Sequence, residues 1–197
     1  MDPRQRRTRA ALHEAVLALA EDTSVADLSV TALAARAGVH RSTFYEHAAS
    51  PAALLEQALL VELDALQAAL LADEDEVGVA VTRVTEAVLC HVAEHRAIYR
   101  RGLADDSGGA DLRAMLGRHF RASSRMLRER ARVRLDLAVP GVDDDVVGEA
   151  ASRFLADGTV GAIAVWLEQP DLDVADFLRL YVRLAPPWWP RDLTVSG

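Results

Sequence analysis

The chain has 197 residues, half of them apolar, which is enough for one medium domain or a small domain joined to a larger one. A net charge of −8 argues at first against a nucleic-acid partner, and a single cysteine, Cys90, excludes an intrachain disulfide framework. The charge is unevenly placed: residues 1–50 carry six arginines against six acids, and residues 51–197 carry sixteen against twenty-four.

The start MDPRQRRTRAAL has no long apolar core of the kind a secretory signal needs. It is instead basic, with Arg4, Arg6, Arg7 and Arg9 against Asp2. Residues 4–21 predict a helix, because Leu12, Ala15, Val16, Leu19 and Ala20 recur at helical spacing. EDTSVADLS reads as a loop. Ser29 is a suitable N-cap for a second helix whose apolar stripe is Val30, Leu33, Ala34 and Ala37, and Gly38 ends it. A third helix is expected over 40–47. Ser50-Pro51 then supplies an N-cap and a first-turn proline for a fourth, running to about residue 71 through Leu54, Leu55, Leu59, Leu63, Leu66 and Leu70.

The acidic run 73–76 reads as a loop or a helix start. Residues 77–101 predict one helix with Val81, Val84, Val88, Val92 and Tyr99 inward, and DDSGGADL a loop. Residues 110–138 are expected as one helix, or two with a bend, broken by Pro140-Gly141. Three aspartates at 143–145 favour the start of a helix that runs to about Glu168 and stops near Pro170. Asp173 caps a last helix to about Leu184, and Pro186-Pro187 closes it. No strand, internal repeat or run of about 18 apolar residues is evident. The expected fold is all-α with about nine helices, in a soluble, cytoplasmic protein without a membrane partner.

The first three helices, with a tight glycine turn between the second and third, form a helix-turn-helix pattern. In the third helix Phe44 and Ala48 lie one turn apart and should face inward. Arg41, Ser42, Thr43, Tyr45, Glu46 and His47 then make a polar outer face, short enough for the DNA major groove. Arginine can bond guanine edges twice, and hydroxyls can hold phosphates.

LSVTALAARAGVHRSTFYEHAASPAALL resembles the N-terminal domain of TetR-family transcriptional regulators, through its capped second helix, A-G-V turn and Thr-aromatic-Tyr-x-His ending. RFLADGTVGAIAVWLEQPDLDVADFLRLYVRL is similar, more weakly, to the last two helices of that family, which form its dimer interface. The resemblance implies a helix-turn-helix DNA-binding domain over 1–50 and an effector-binding and dimerisation domain over 51–197. It implies base contacts from Thr31, Arg41 and Ser42, and phosphate contacts from Ser29, Thr43, Tyr45 and His47. Tyr45 and His47 have a plainer reading as residues that only pack at the helix ends. Two positions depart from the family: Ala48 stands where phenylalanine is usual and Pro51 where lysine is usual.

Three further patterns are weaker. His91 and His95, with Cys90 beside them and His119 elsewhere, have a spacing that can hold zinc, but ordinary polar lining is the commoner reason for such histidines. Arg118, Arg121, Arg125, Arg128 and Arg132 share one helix face, with Arg130 and Arg134 off it. That stripe suits an anion or a second DNA contact, or else a solvated face paired with the acids at 73–76 and 143–145. Small residues among large ones at Ala151, Phe154, Leu155, Gly158, Ala162 and Trp166, with Phe177 and Tyr181, fit a two-fold dimer; intrachain packing is the alternative. Leu66, Val88, His91, His95, Tyr99, Met115, Phe120 and Leu127 are candidate walls of an effector pocket.

The expectation is therefore a non-enzymatic, homodimeric regulator, most simply a repressor. Its partners would be double-stranded DNA with an inverted repeat and a small-molecule effector, with no cofactor or metal. A helical interaction protein that no longer binds DNA, or an all-α enzyme around His91, His95 and Cys90, is the alternative.

Overall fold

Caps and breakers set most of the element boundaries. In the computed structural model, residues 2–70, 77–104, 110–131, 137 and 140–190 are described. The acidic run 73–76, Arg132, Arg134 and the end of the 110–138 prediction lie outside them. The described residues form nine α-helices and one 3-10 turn, with no strand among them. No helix among them is long and apolar enough to cross a membrane.

The chain divides into two units, Met1–Ala65 and Leu66–Gly197, so the division falls inside the fourth helix and not at its start. In the first unit, α1 (Pro3–Ala20) is capped by Asp2, whose carboxylate accepts from the Arg4 amide at 3.0 Å. A 3-10 turn, Val25–Asp27, lies within the expected loop. Two seven-residue helices follow, α2 (Val30–Arg36) and α3 (Arg41–His47), and then α4 (Pro51–Leu70). The Ser50 hydroxyl accepts from the Ala53 amide at 3.1 Å and starts α4. α1 packs on α2 and α2 on α3, and Leu12, Val16, Leu33, Phe44, Leu54 and Leu59 are fully buried.

The second unit holds α5 (Val77–Glu94), α6 (Arg96–Leu103), α7 (Ala110–Ala131), α8 (Asp144–Leu167) and α9 (Val174–Leu184). α7 runs along α8, α5 meets α9, and α6 touches both α7 and α8. At Gly148 the Arg128 guanidinium of α7 lies against the α8 backbone, where a Cβ would make it shift. Arg125 bonds Glu149 across the same pair of helices, and Arg153 reaches Glu149 at 2.8 Å. Those two guanidiniums hold the Glu149 carboxyl below the usual carboxylate range. Of the arginine stripe, Arg125 meets an acid within α8, at Glu149.

The single helix expected over 77–101 is two. The break is at His95 (φ −104°, ψ 31°). No glycine or proline causes it; side-chain bonds from Tyr99 and Arg96 accompany it. The Tyr99 hydroxyl sits 2.9 Å from His91 Nε2 across the bend. Arg96 reaches the end of α8, donating to the carbonyls of Trp166, Leu167 and Gln169 at 3.1, 3.1 and 2.8 Å. These are carbonyls at a helix C-terminus, where a cation is favoured. The guanidinium also lies 5.5 Å from the centre of the Trp166 ring. Trp166 stacks on Phe177 of α9, with centroids 4.7 Å apart and planes within 4°, and donates Nε1–H to the Leu172 carbonyl at 2.8 Å. One arginine and one tryptophan thus tie α6, α8 and α9 together.

Candidate functional site

The turn between α2 and α3 is built by backbone hydrogen bonds. Gly38 stands at φ 67°, a conformation costly for any residue with a Cβ. Its amide donates to the Ala35 carbonyl at 3.2 Å, and the Val39 amide to that of Ala34 at 2.9 Å. This pair is the Schellman arrangement, which satisfies the last carbonyls of a helix while reversing the chain. At the other end of α2, the Ser29 hydroxyl accepts from the Ala32 amide at 3.1 Å. That leaves its proton free for an outside acceptor.

α3 then presents two unlike sides. Phe44 is fully buried and Ala48 nearly so. Arg41, Ser42, Tyr45 and Glu46 are exposed, while Thr43 and His47 are half-buried. The Tyr45 ring meets the Phe44 ring edge-on at 5.5 Å, so the phenol is steadied at its base and open at its hydroxyl. Thr31 and Ser29, at the start of α2, are also exposed. The fold thus leaves every residue predicted for DNA contact at least partly accessible. Behind α3, burial lowers the His13 pKa, with smaller contributions from Arg9 and His47.

The second unit contains a cavity of about 90 Å³. Its walls come from α5 (Val81, Val84, Val88), α7 (Phe120, Leu127) and α8 (Ile163). Gln67 of α4, His119, Ser123, Ser124, Thr159 and Trp189 also line it. Of the residues expected there, Val88, Phe120 and Leu127 are present. Leu66, His91, His95, Tyr99 and Met115 do not line it. His91 and Tyr99 are instead buried against each other, with the His95 ring 4.9 Å from that of His91. Burial, aided by the nearby His95 and His119, pushes His91 down to about 4. Cys90, next in sequence, faces out; burial, with Glu86 and Glu94 beside it, raises its thiol pKa.

The residues expected at a dimer surface separate into two groups. Phe154 is 67% exposed, Gly158 is exposed with open space above it, and Ala162 is half-buried. Trp166, Phe177 and Ala151 are buried within the chain, and Leu155 and Tyr181 line the cavity. The exposed α8 face continues to Val165, and α9 adds exposed Leu180 and Leu184. Trp188 and Trp189, just after Pro186-Pro187, straddle the two features. Trp188 lies 6.4 Å from Phe154, Trp189 lines the cavity, and their rings meet edge-on at 6.5 Å.

The sequence missed Gln67, Thr85, Ser123, Ser124 and Thr159 as cavity residues. Gln67 carried a usable signal: it falls four residues after Leu63, on the apolar stripe of α4, where a polar side chain needs a reason. The serines were hidden because α7 is read first for its arginines.

No protein-family model and no curated protein sequence matches the chain. Solved structures do share its fold. A tetR-family transcriptional regulator from Streptomyces coelicolor superposes with a TM-score of 0.57 at 19% identity, covering 93% of this chain and 82% of its own. A gamma-butyrolactone receptor (ArpA-like protein) gives 0.55 at 18% identity, covering 98% and 95%. NalD, the secondary repressor of the MexAB-OprM multidrug efflux pump in Pseudomonas aeruginosa, gives 0.54 at 21% identity, covering 95% and 100%.

Proposed function

We propose that this chain, which carries the fold of TetR-family regulators, is a dimeric, ligand-responsive DNA-binding regulator, most simply a repressor released from its operator by a small molecule. The observation that carries the reading is α3 itself: a short helix, anchored by Phe44 and Ala48 behind a Schellman turn, with arginine, hydroxyl and phenol groups outward. In this account α3 enters the major groove. Arg41 and Ser42 reach base edges, helped by Thr31. Ser29, Thr43, Tyr45 and His47 hold phosphates on either side. The proline at position 51 supplies no phosphate contact, so the arginines at 4, 6, 7 and 9 carry more of the electrostatic attraction.

Two recognition helices on a duplex need two-fold symmetry and a separation of about 34–36 Å. The exposed α8 residues Phe154, Gly158 and Val165, with Leu180 and Leu184 of α9, are the proposed contact between two copies. Small residues beside large ones let helices approach while burying area. The cavity is the proposed effector site, and fold neighbours named a receptor and a repressor fit a ligand-responsive regulator. An effector shifts the operator-binding equilibrium only by its difference in affinity between the DNA-competent and released states.

A gel shift with DNA from upstream of the chain's own gene tests the docking. The wild type should retard it in a salt-sensitive manner, and an Arg41→Ala, Tyr45→Ala double variant should lose most of that affinity. Full retention by the double variant would rule out α3 as the reading element.

A further inference from the structure

The cavity of the second unit has an unspent hydrogen-bond donor. Most of its polar lining is internally satisfied. Thr85 Oγ1 donates to the Val81 carbonyl at 2.8 Å, and Thr159 Oγ1 to that of Leu155 at 2.7 Å. With that proton committed, the Tyr181 hydroxyl donates to Thr159 Oγ1 at 2.7 Å. Ser124 donates to Ser152 at 3.2 Å, and Ser152 to the Gly148 carbonyl at 2.9 Å. Gln67 differs. It is only 6% exposed, its carbonyl accepts from Ser123 at 3.1 Å, and its Nε2 is buried with no partner among the described residues. Buried amide protons are nearly always paired, because leaving one unmade forfeits its hydration without return.

The rest of the lining sets the other properties of a guest. Valines, leucines, an isoleucine and a phenylalanine dominate, so most of the guest must be apolar. Among the described residues no carboxylate or guanidinium lines the cavity, so an ionised guest would be buried there without a countercharge from them. At about 90 Å³ the space is smaller than the roughly 150 Å³ void that takes a benzene ring.

We propose that this cavity binds a small, neutral, largely apolar molecule whose carbonyl or ether oxygen accepts a hydrogen bond from Gln67 Nε2. The proposal rests on reading the cavity as the effector site and specifies the chemistry that site selects. A matched guest lacking the oxygen would leave the amide as it stands, and a site with a fixed buried donor discriminates against such a guest.

Acetone and isobutene share shape, fit a space smaller than a benzene void, and differ in that oxygen. Titrated into the full-length protein without DNA, acetone should bind roughly five- to tenfold more tightly. It should also shift the Gln67 side-chain amide resonance in a ¹⁵N-labelled sample, a signal identified by its loss in Gln67→Leu. That variant should bind both probes equally, and acetate should bind neither protein. Equal affinity of the wild type for the two probes, no binding of either, or an unmoved Gln67 amide signal would overturn the proposal. The amide shift is read in the wild type, so it stands even if Gln67→Leu folds poorly. Because no DNA is present, these failures leave the operator reading intact, and a failure to bind DNA leaves this measurement unchanged.

Discussion

Gly38 and Tyr45 show how single residues prepare α3. At φ 67° the Gly38 backbone excludes a Cβ on conformational grounds, although the space around it is open. Gly38→Ala should therefore cost about 1–2 kcal/mol, seen as a lower urea midpoint, and should weaken DNA binding by loosening the turn. Tyr45→Phe keeps the ring edge on Phe44 and removes only the exposed hydroxyl. Its stability should stay within about 0.5 kcal/mol of wild type while affinity for DNA falls; unchanged affinity would assign Tyr45 to packing alone. His91 makes a separate prediction about pH. Its folded pKa of about 4 lies below the ordinary value near 6.5. Between those values the unfolded chain takes up a proton that the folded chain refuses. The stability owed to neutral His91 is full above about pH 6.5 and is lost as pH falls toward 4. An NMR titration should find no His91 midpoint above pH 5, and His91→Phe should flatten the acid side of the melting-temperature profile.

Among the elements, the α6–α8–α9 junction rests on a few named side chains. Trp166 is 1% exposed and stacked on Phe177, so Trp166→Ala should cost about 3–5 kcal/mol. Arg96→Ala leaves the carbonyls of Trp166, Leu167 and Gln169 without their shared donor and should cost about 1–3 kcal/mol. Arg96→Lys should recover little, since an ammonium lacks the planar fork that stacks on Trp166 while reaching the carbonyls. Chemical denaturation of both variants checks the pair. The same junction explains which elements were legible in the sequence. α1, α2, α4, α8 and α9 begin at capping residues or prolines, and local chemistry places their ends. The break at His95 has no such mark, because its partners, Tyr99 and the end of α8, are set by tertiary packing. The outward side of α3 was readable because one short helix carries it whole. The cavity was only partly so. Periodicity says which residues of α5, α7 and α8 turn inward, and it found Val88, Phe120 and Leu127. It does not say where inward faces fail to close, and His91, Tyr99 and Met115 are buried away from that gap.

For the molecule as a whole, charge and apolar surface divide the work. The first 50 residues are neutral with a basic tip, and the remainder carries the whole deficit of −8. An acidic body disfavours broad adhesion to phosphates, which suits the proposed docking through α3. Phe154 and Leu184 are 67% and 62% exposed, so replacing both with glutamate should leave the folded subunit intact. If the proposed interface holds, sedimentation should find dimers for the wild type and monomers for the variant, and DNA affinity should fall because two half-sites would no longer be linked. A double variant that stays dimeric would move the interface elsewhere. The most direct test of the central claim is selection of bound sequences from a random duplex pool by the wild-type protein. The account predicts enrichment of an inverted repeat with half-site centres about one helical turn apart, lost when Arg41 is replaced by alanine. Enrichment of no sequence, or of a lone half-site bound by a single subunit, would contradict it.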